Sequence, residues 1–217
     1  MVQKPRGKRI PPPSLLYEES LWSAGILYVA GLDEAGRGAW AGPVYAAAVI
    51  LPADSTIHQH LQGVRDSKQM TPSQRSRWAE QIKLHALTWA VSHSSHKEID
   101  ILGILPATRL AMQRALEKLD PPSQHLLIDY LTLPACDLPQ TSLVKGDQLS
   151  LSIAAASVLA KTERDRFMVG MDRKFNGYCF AQHKGYGTSQ HRLILTERGM
   201  TAIHRRCFSP MKMMLSR

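Results

Sequence analysis

The chain has 217 residues and 44% apolar content, enough to bury one sizeable core and to exclude global disorder. Its 27 Lys and Arg outweigh 18 Asp and Glu, and the pI of about 9.7 points to a polyanionic partner, nucleic acid foremost, with solubility alone as the alternative. Three widely separated cysteines, Cys136, Cys179 and Cys207, exclude a disulfide framework and a CxxC zinc site, and suit a reducing cytoplasm.

Residues 1–24, opening "MVQKPRGKRIPPPS", read as a flexible basic and proline-rich arm, with no apolar stretch that would make a secretory signal. A first strand is expected near Leu27–Asp33 and a second over "VYAAAVIL". A loop carries "VRDSKQM". Thr71-Pro72 then signals a helix start, with Trp78 and Ile82 on one stripe. "TWAVSH" is a third strand, and "ILPATRLAMQRALEKL" is helical up to the stop "DPPS". "HLLIDY" and "TSLVKGD" read as strands. A long helix follows over "SLSIAAASVLAKTERDRFMVGMDRKF", then one tail helix and a basic, methionine-rich end. The longest apolar run, residues 39–51, holds Gly42 and Pro43 and is too short to span a bilayer, so no membrane association is expected. Adjacent strands followed by strands alternating with helices predict an α/β sheet covered on both faces.

The stretch "GLDEAGRGAWAGPV", residues 31–44, sets two acids before a glycine-rich turn. It does not fit a dinucleotide loop. Its spacing is G-x-G-x-x-x-G, and Pro43 and a strand follow where a helix is needed. A Walker loop fails for want of GK[ST]. A plain hairpin turn, its glycines supplying positive φ, is the alternative.

Asp33 (with Glu34), Asp129 and Asp147 each stand at or just past the end of a separate apolar strand. Ligand sites in open α/β sheets lie beyond strand ends, so the acids converge if these strands are neighbours. Converging carboxylates repel unless a cation shares them, and oxygen-only ligands suit Mg²⁺ or Mn²⁺. In a basic protein that pattern fits two-metal phosphoryl chemistry. The competing readings are local: a helix cap for Asp147 and a turn residue for Asp129. Adjacent strand residues also point to opposite faces, so Glu34 joins Asp33 only if the chain bends there.

"GLDEAGRGAWAGPV", "DSK" at 66–68, "LLID", "VKGD", "IAAASVLAKTERDR" and "AQHKGYGT" occur in this order, and with them the chain closely resembles the bacterial ribonuclease HII family from about Tyr28 to "HRRCFSP". The resemblance implies an α/β, RNase H-like mixed sheet flanked by helices, catalytic over 25–175, with a C-terminal helical substrate-binding extension over 176–217. It implies a Mg²⁺- or Mn²⁺-dependent endonuclease, with two ions at the active site. Such an enzyme cuts RNA in RNA–DNA hybrids and 5′ of single ribonucleotides in duplex DNA, leaving 5′-phosphate and 3′-hydroxyl ends. Asp33, Glu34, Asp129 and Asp147 match the family's metal-binding acids. Gly36, Arg37 and Gly38 match its loop for the ribose 2′-hydroxyl, and Tyr186 matches its sugar-packing tyrosine. Ser67, Lys68 and Lys184 would contact backbone phosphate. Lys145 and Lys161 are auxiliaries, and Asp165 is expected to pair with Arg164 or Arg166. Arg37 between its glycines favours HII over the sister family HIII. A cytoplasmic monomer is expected. Two departures stand out. Tyr130-Leu131 replaces the usual Gly-Asn after Asp129, and "KGYGT" replaces "KGYPT" or "KGYAT", which predicts a looser turn at Tyr186.

Overall fold

The computed structural model describes residues 11–215. The basic part of the expected arm, residues 1–10, lies outside them. The rest of that arm is a correction to the sequence reading, because it forms helix α1 (Leu16–Ser23). Glu18 on α1 is fully buried and accepts hydrogen bonds from Ser150 Oγ (2.6 Å), Ser152 N (2.9 Å) and Ser152 Oγ (2.7 Å). These donors open the longest helix, so a carboxylate meets the positive end of its dipole. Glu18→Ala removes the acceptor these three donors share, leaving Ser152 N without one and the Ser150 and Ser152 hydroxyls, 3.1 Å apart, only each other. It is expected to cost roughly 2–4 kcal/mol. Urea unfolding checks this, and an unmoved midpoint refutes it.

Strands β1 (Val29–Ala35) and β2 (Val44–Ile50) form the first hairpin, followed by the short helix α2 (Ile57–His60). Helix α3 (Pro72–His85) starts as expected, with Thr71 and Gln74 in a reciprocal capping box and Pro72 in the first turn. After β3 (Thr88–Ser94) comes α4 (His96–Leu102), which the sequence reading omitted although Ser95 and Glu98 form a second capping box. Gly103, with φ +83°, turns the chain into α5 (Ile104–Leu116). Strands β4 (His125–Asp129) and β5 (Gln140–Leu143) precede α6 (Leu151–Lys174). The tail holds α7 (Phe180–His183), α8 (Ser189–Arg198) and α9 (Met211–Leu215).

The sheet order is β3-β2-β1-β4-β5, with β2 antiparallel to β1 and β3, and β1, β4 and β5 parallel. Alternation along the strands divides the core. Ala47 and Val49 face α6 through Ala154, Ala155 and Val158, whereas Ala30, Leu32, Ala48 and Ile128 face α5 through Ala111, Met112 and Ala115. The α6 layer lies close on the central strand. A Cβ on Gly31 would sit 2.2 Å from the Ser152 backbone, so only glycine fits there. Among the described residues, no helix is long and apolar enough to cross a membrane.

Candidate active site

The parallel register brings the first two acids together. Leu32 pairs with Ile128, so Asp33 and Asp129 are the next residues on neighbouring strands. Strand β1 runs further than expected, so both Asp33 and Glu34 lie inside it. The bend that would turn Glu34 to the side of Asp33 does not occur between them. Asp33, Glu34 and Ala35 pair in unbroken register with Ala47, Ala46 and Tyr45, and the chain turns only at Gly36, with φ +95°. Beyond Leu32, β1 no longer pairs with β4, which leaves that flank open. The charge of Asp129 reaches both Asp33 and Glu34.

Asp147 also departs from expectation. β5 stops at Leu143, and Asp147 sits beyond it in a single 3₁₀ turn, Gly146–Gln148. The cap of α6 is Ser150, so capping does not occupy Asp147. Asp129 Oδ1 accepts from Gly146 N at 2.7 Å, which ties the end of β4 to the Asp147 turn.

Four acids packed at one edge are electrostatically costly. Burial pushes the Asp33 carboxyl well above the usual range, and Glu34, Asp129 and Asp147 push it further. Burial raises Glu34 against the pull of Arg37 Nη1, 3.2 Å from Oε1, and Asp129 adds to the rise. Burial raises Asp129 despite the Gly146 bond and Lys68. Asp147 is raised to about 6 by burial and by Asp66. Lys68 Nζ stands 3.7 Å from Asp147 Oδ2; burial opposes its charge, but Asp33, Asp147, Asp66 and Asp129 together raise its pKa.

These donors suit a hard divalent cation. Asp33 Oδ2 and Glu34 Oε2 are buried without a hydrogen-bond partner among the described residues, which leaves carboxylate lone pairs free for a cation. Among the described residues, no three His, Cys, Asp or Glu side chains are drawn into one chelating group. Carboxylates without a shared cation repel one another, and Lys68 offsets part of their charge.

Beside the acids, a cavity of about 480 Å³ is lined by Glu34, Gly36, Arg37, Gly38, Ser67, Lys68, Lys161 and Tyr186 among others. Gly36 is required there, because a Cβ would lie 1.9 Å from Arg164 Nε. Gly38 meets nothing within 4 Å, so its missing side chain leaves room on the open side. The Tyr186 ring lies 5.1 Å from the Arg164 guanidinium and 5.4 Å from Lys161 Nζ. The turn carrying it is not loose. Gly187 is filled against by Trp40, whose ring would meet a Cβ at 2.2 Å.

A chain of histidines backs the same turn. Thr201 N donates to His204 Nδ1, so the His204 proton is on Nε2 and donates to His191 Nε2 at 3.0 Å; His191 Nδ1 then donates to Tyr186 O at 3.0 Å. This direction needs both rings neutral, and burial holds each at about 4.

Other expected residues sit differently. The Ser67 hydroxyl is buried and shared with Ser157 Oγ at 2.8 Å, so it anchors its loop to α6. Lys184 donates to Ala181 O and lines a separate cavity with Arg75 and Arg166. Asp165 pairs with Arg75 (3.0 Å) and Lys161 (2.7 Å), not with Arg164 or Arg166. Sequence reasoning missed Asp66, Arg75, Arg164 and Arg205. Asp66, in "DSK", accepts from Lys68 N and brings a further carboxylate beside Asp147. Arg75 holds the carbonyls of Ser67 and Met70.

The departures after Asp129 have a physical account. Tyr130 takes φ +61° with an exposed side chain, a backbone state that glycine adopts freely, and Leu131 is buried in the α5-side core. Tyr130→Gly relieves the left-handed penalty and adds chain entropy to the unfolded state. The net expectation is a gain of roughly 0.5–1 kcal/mol. A lower melting temperature would contradict it.

The described residues form a mixed five-stranded sheet flanked by helices with a C-terminal helical part, the RNase H-like fold that solved ribonucleases H2 and H3 share. The ribonuclease H2 crystal structure from Pyrococcus horikoshii OT3 superposes with a TM-score of 0.71 at 24% identity, over 87% of this chain and 97% of that one. A structure of Bst-RNase HIII in complex with Mn²⁺ gives 0.64 at 21% identity, over 88% and 70%. The ribonuclease HII from Synechococcus sp. (strain JA-3-3Ab) is 51% identical over 204 residues, 94% of this chain and 91% of that protein. The ribonuclease HII family model matches residues 30–211, and the chain belongs to that family. It is an endoribonuclease, with the RNase H activity on RNA–DNA hybrids that the family implies.

Proposed function

We propose that this enzyme hydrolyses the RNA strand of RNA–DNA hybrids and also cuts 5′ of single ribonucleotides embedded in duplex DNA, leaving 5′-phosphate and 3′-hydroxyl ends. The observation that carries this reading is the adjacency of the acids to the cavity lined by Gly36, Arg37, Gly38 and Tyr186. A site beside a donor-lined recess can read a 2′-hydroxyl, the group that separates RNA from DNA.

In this reading Asp33, Glu34, Asp129 and Asp147 hold two divalent cations, Mg²⁺ or Mn²⁺. The ions supply charge neutralisation and Lewis acidity at the scissile phosphate. The Mn²⁺ of the Bst-RNase HIII structure belongs to that protein and supports the choice of ion class. The chain's own groups bind and orient the substrate. Lys68 offers its charge to a phosphate next to the acids, and Lys184 serves a phosphate further along. Gly36, Arg37 and Gly38 bring backbone close to the ribose, and Tyr186 packs on the sugar. The tail from residue 176 adds the wall that carries Tyr186. The setting we propose is a cytoplasmic monomer, in keeping with three free cysteines.

The test is a DNA duplex carrying one ribonucleotide, incubated with Mg²⁺ or Mn²⁺, with the cut mapped to the nucleotide. A single cut on the 5′ side with a 3′-hydroxyl end is expected. Cutting on the 3′ side, or cleavage of long hybrids only, removes the junction reading.

A further inference from the structure

Under the Gly36–Gly38 turn lies a fully buried arginine, Arg205, from the tail segment "HRRCFSP". It has no carboxylate partner among the described residues. All three of its nitrogens bond to carbonyls of one loop instead. Nε donates to Gly42 O at 2.9 Å, Nη1 to Arg37 O at 2.8 Å and Nη2 to Gly36 O at 2.8 Å. Arg164 lies close by and holds Ala41 O and Pro43 O. Burial and the charge of Arg164 lower Arg205 to about 9, so it remains charged at neutral pH. Two guanidinium groups buried without acids cost stability, and the fold keeps both under this loop.

The geometry has a consequence on the other side of the loop. In a trans peptide unit the C=O and N–H point in opposite directions. Holding Gly36 O and Arg37 O inward therefore turns the N–H groups of Arg37 and Gly38 outward. Neither has an acceptor among the described residues, and both residues line the 480 Å³ cavity. We propose that Arg205 is a positioning residue that sets the Arg37 and Gly38 amides as a preformed donor pair for an oxygen of the bound ribonucleotide. Its planar fork suits this task. A lysine brings one nitrogen and cannot hold three carbonyls in fixed directions. The inference rests on the proposed reading of the loop as the ribose contact.

Two measurements test it. Arg205→Lys keeps the charge and loses the fork. On the single-ribonucleotide duplex, kcat is expected to fall by about ten- to a hundredfold with KM changed by less than about threefold, since misplaced donors act in the reaction more than in duplex binding. A merely structural role lowers the melting temperature and leaves kcat below the melt intact; kcat within twofold of wild type in the folded variant overturns the proposal. The second measurement uses the wild-type protein and needs no variant to fold. In EDTA, the backbone amide resonances of Arg37 and Gly38 should shift with a ribonucleotide-containing duplex and shift less with an all-DNA duplex of the same sequence. Equal shifts overturn the proposal. Failure of the wild-type enzyme to cut at the ribonucleotide would instead strike the proposed function, which separates the two.

Discussion

Asp33→Asn is expected to lose at least about a thousandfold in turnover while gaining stability in metal-free buffer. Asp33 is the most enclosed of the four acids, with 2% of its surface exposed and one oxygen unpartnered. Three other carboxylates raise it, and among the described residues no lysine or arginine forms an ion pair with it, although Lys68 lies within electrostatic reach. The amide has nearly the same shape but removes both the buried charge and its repulsions, so the folded state improves. The same change deletes a charged ligand from the cluster proposed to hold the cations. Thermal melts in EDTA should place the variant above the wild type. Added Mn²⁺ should raise the wild-type Tm by mass action and move the variant much less. A variant that keeps near-normal cleavage, or that responds to Mn²⁺ as the wild type does, removes Asp33 from the site.

The second large effect is a loss of stability on acidification between pH 6.5 and 4. His191 and His204 are held near 4 in the folded chain, against 6.5 for a free imidazole. Between those values the unfolded chain takes up protons that the folded chain refuses. The histidine contribution is therefore fully present above pH 6.5 and falls as pH drops through the window. Linkage sets the slope at up to about 1.4 kcal/mol per pH unit for each group. His183, stacked 4.1 Å from His191, is lowered in the same direction. Asp33 and Asp147 oppose the trend, because protonation relieves their repulsion. His204→Gln isolates the effect: its Tm should fall less steeply from pH 6.5 to 4.5 than that of the wild type. Parallel curves would show that the rings carry no linkage. Protonating His191 at Nε2 breaks its bond from His204, and protonating His204 at Nδ1 breaks its bond from Thr201 N, so either event loosens the chain that backs the Tyr186 turn. Activity at the ribonucleotide should therefore weaken within the same window.

Local signals in the sequence were read where the physics is local. Thr71-Pro72 predicts the start of α3 because capping and proline geometry depend on four consecutive residues. The apolar runs "VYAAAVI" and "HLLID" predict β2 and β4 for the same reason. Ser95 and Glu98 carried an equally local signal for α4 that was passed over. The ordered motifs were specific enough to indicate the family from sequence alone.

The acids show where that legibility ends. Residue type and position at apolar run ends determined which carboxylates to consider: Asp33, Glu34, Asp129 and Asp147. Only the parallel pairing of β1 with β4 decided that Asp33 and Asp129 are neighbours, because register is a relation between segments about a hundred residues apart. The same holds for Glu18 under the start of α6, Asp66 beside Asp147, and Arg205 under the glycine loop. A buried charge is costly until its partners are in place, and those partners come from distant parts of the chain. The sequence by itself determined the family, the main elements and the candidate acids. The tertiary structure decided which groups meet, since hydrogen bonds and charge contacts across such separations exist only once the core has packed.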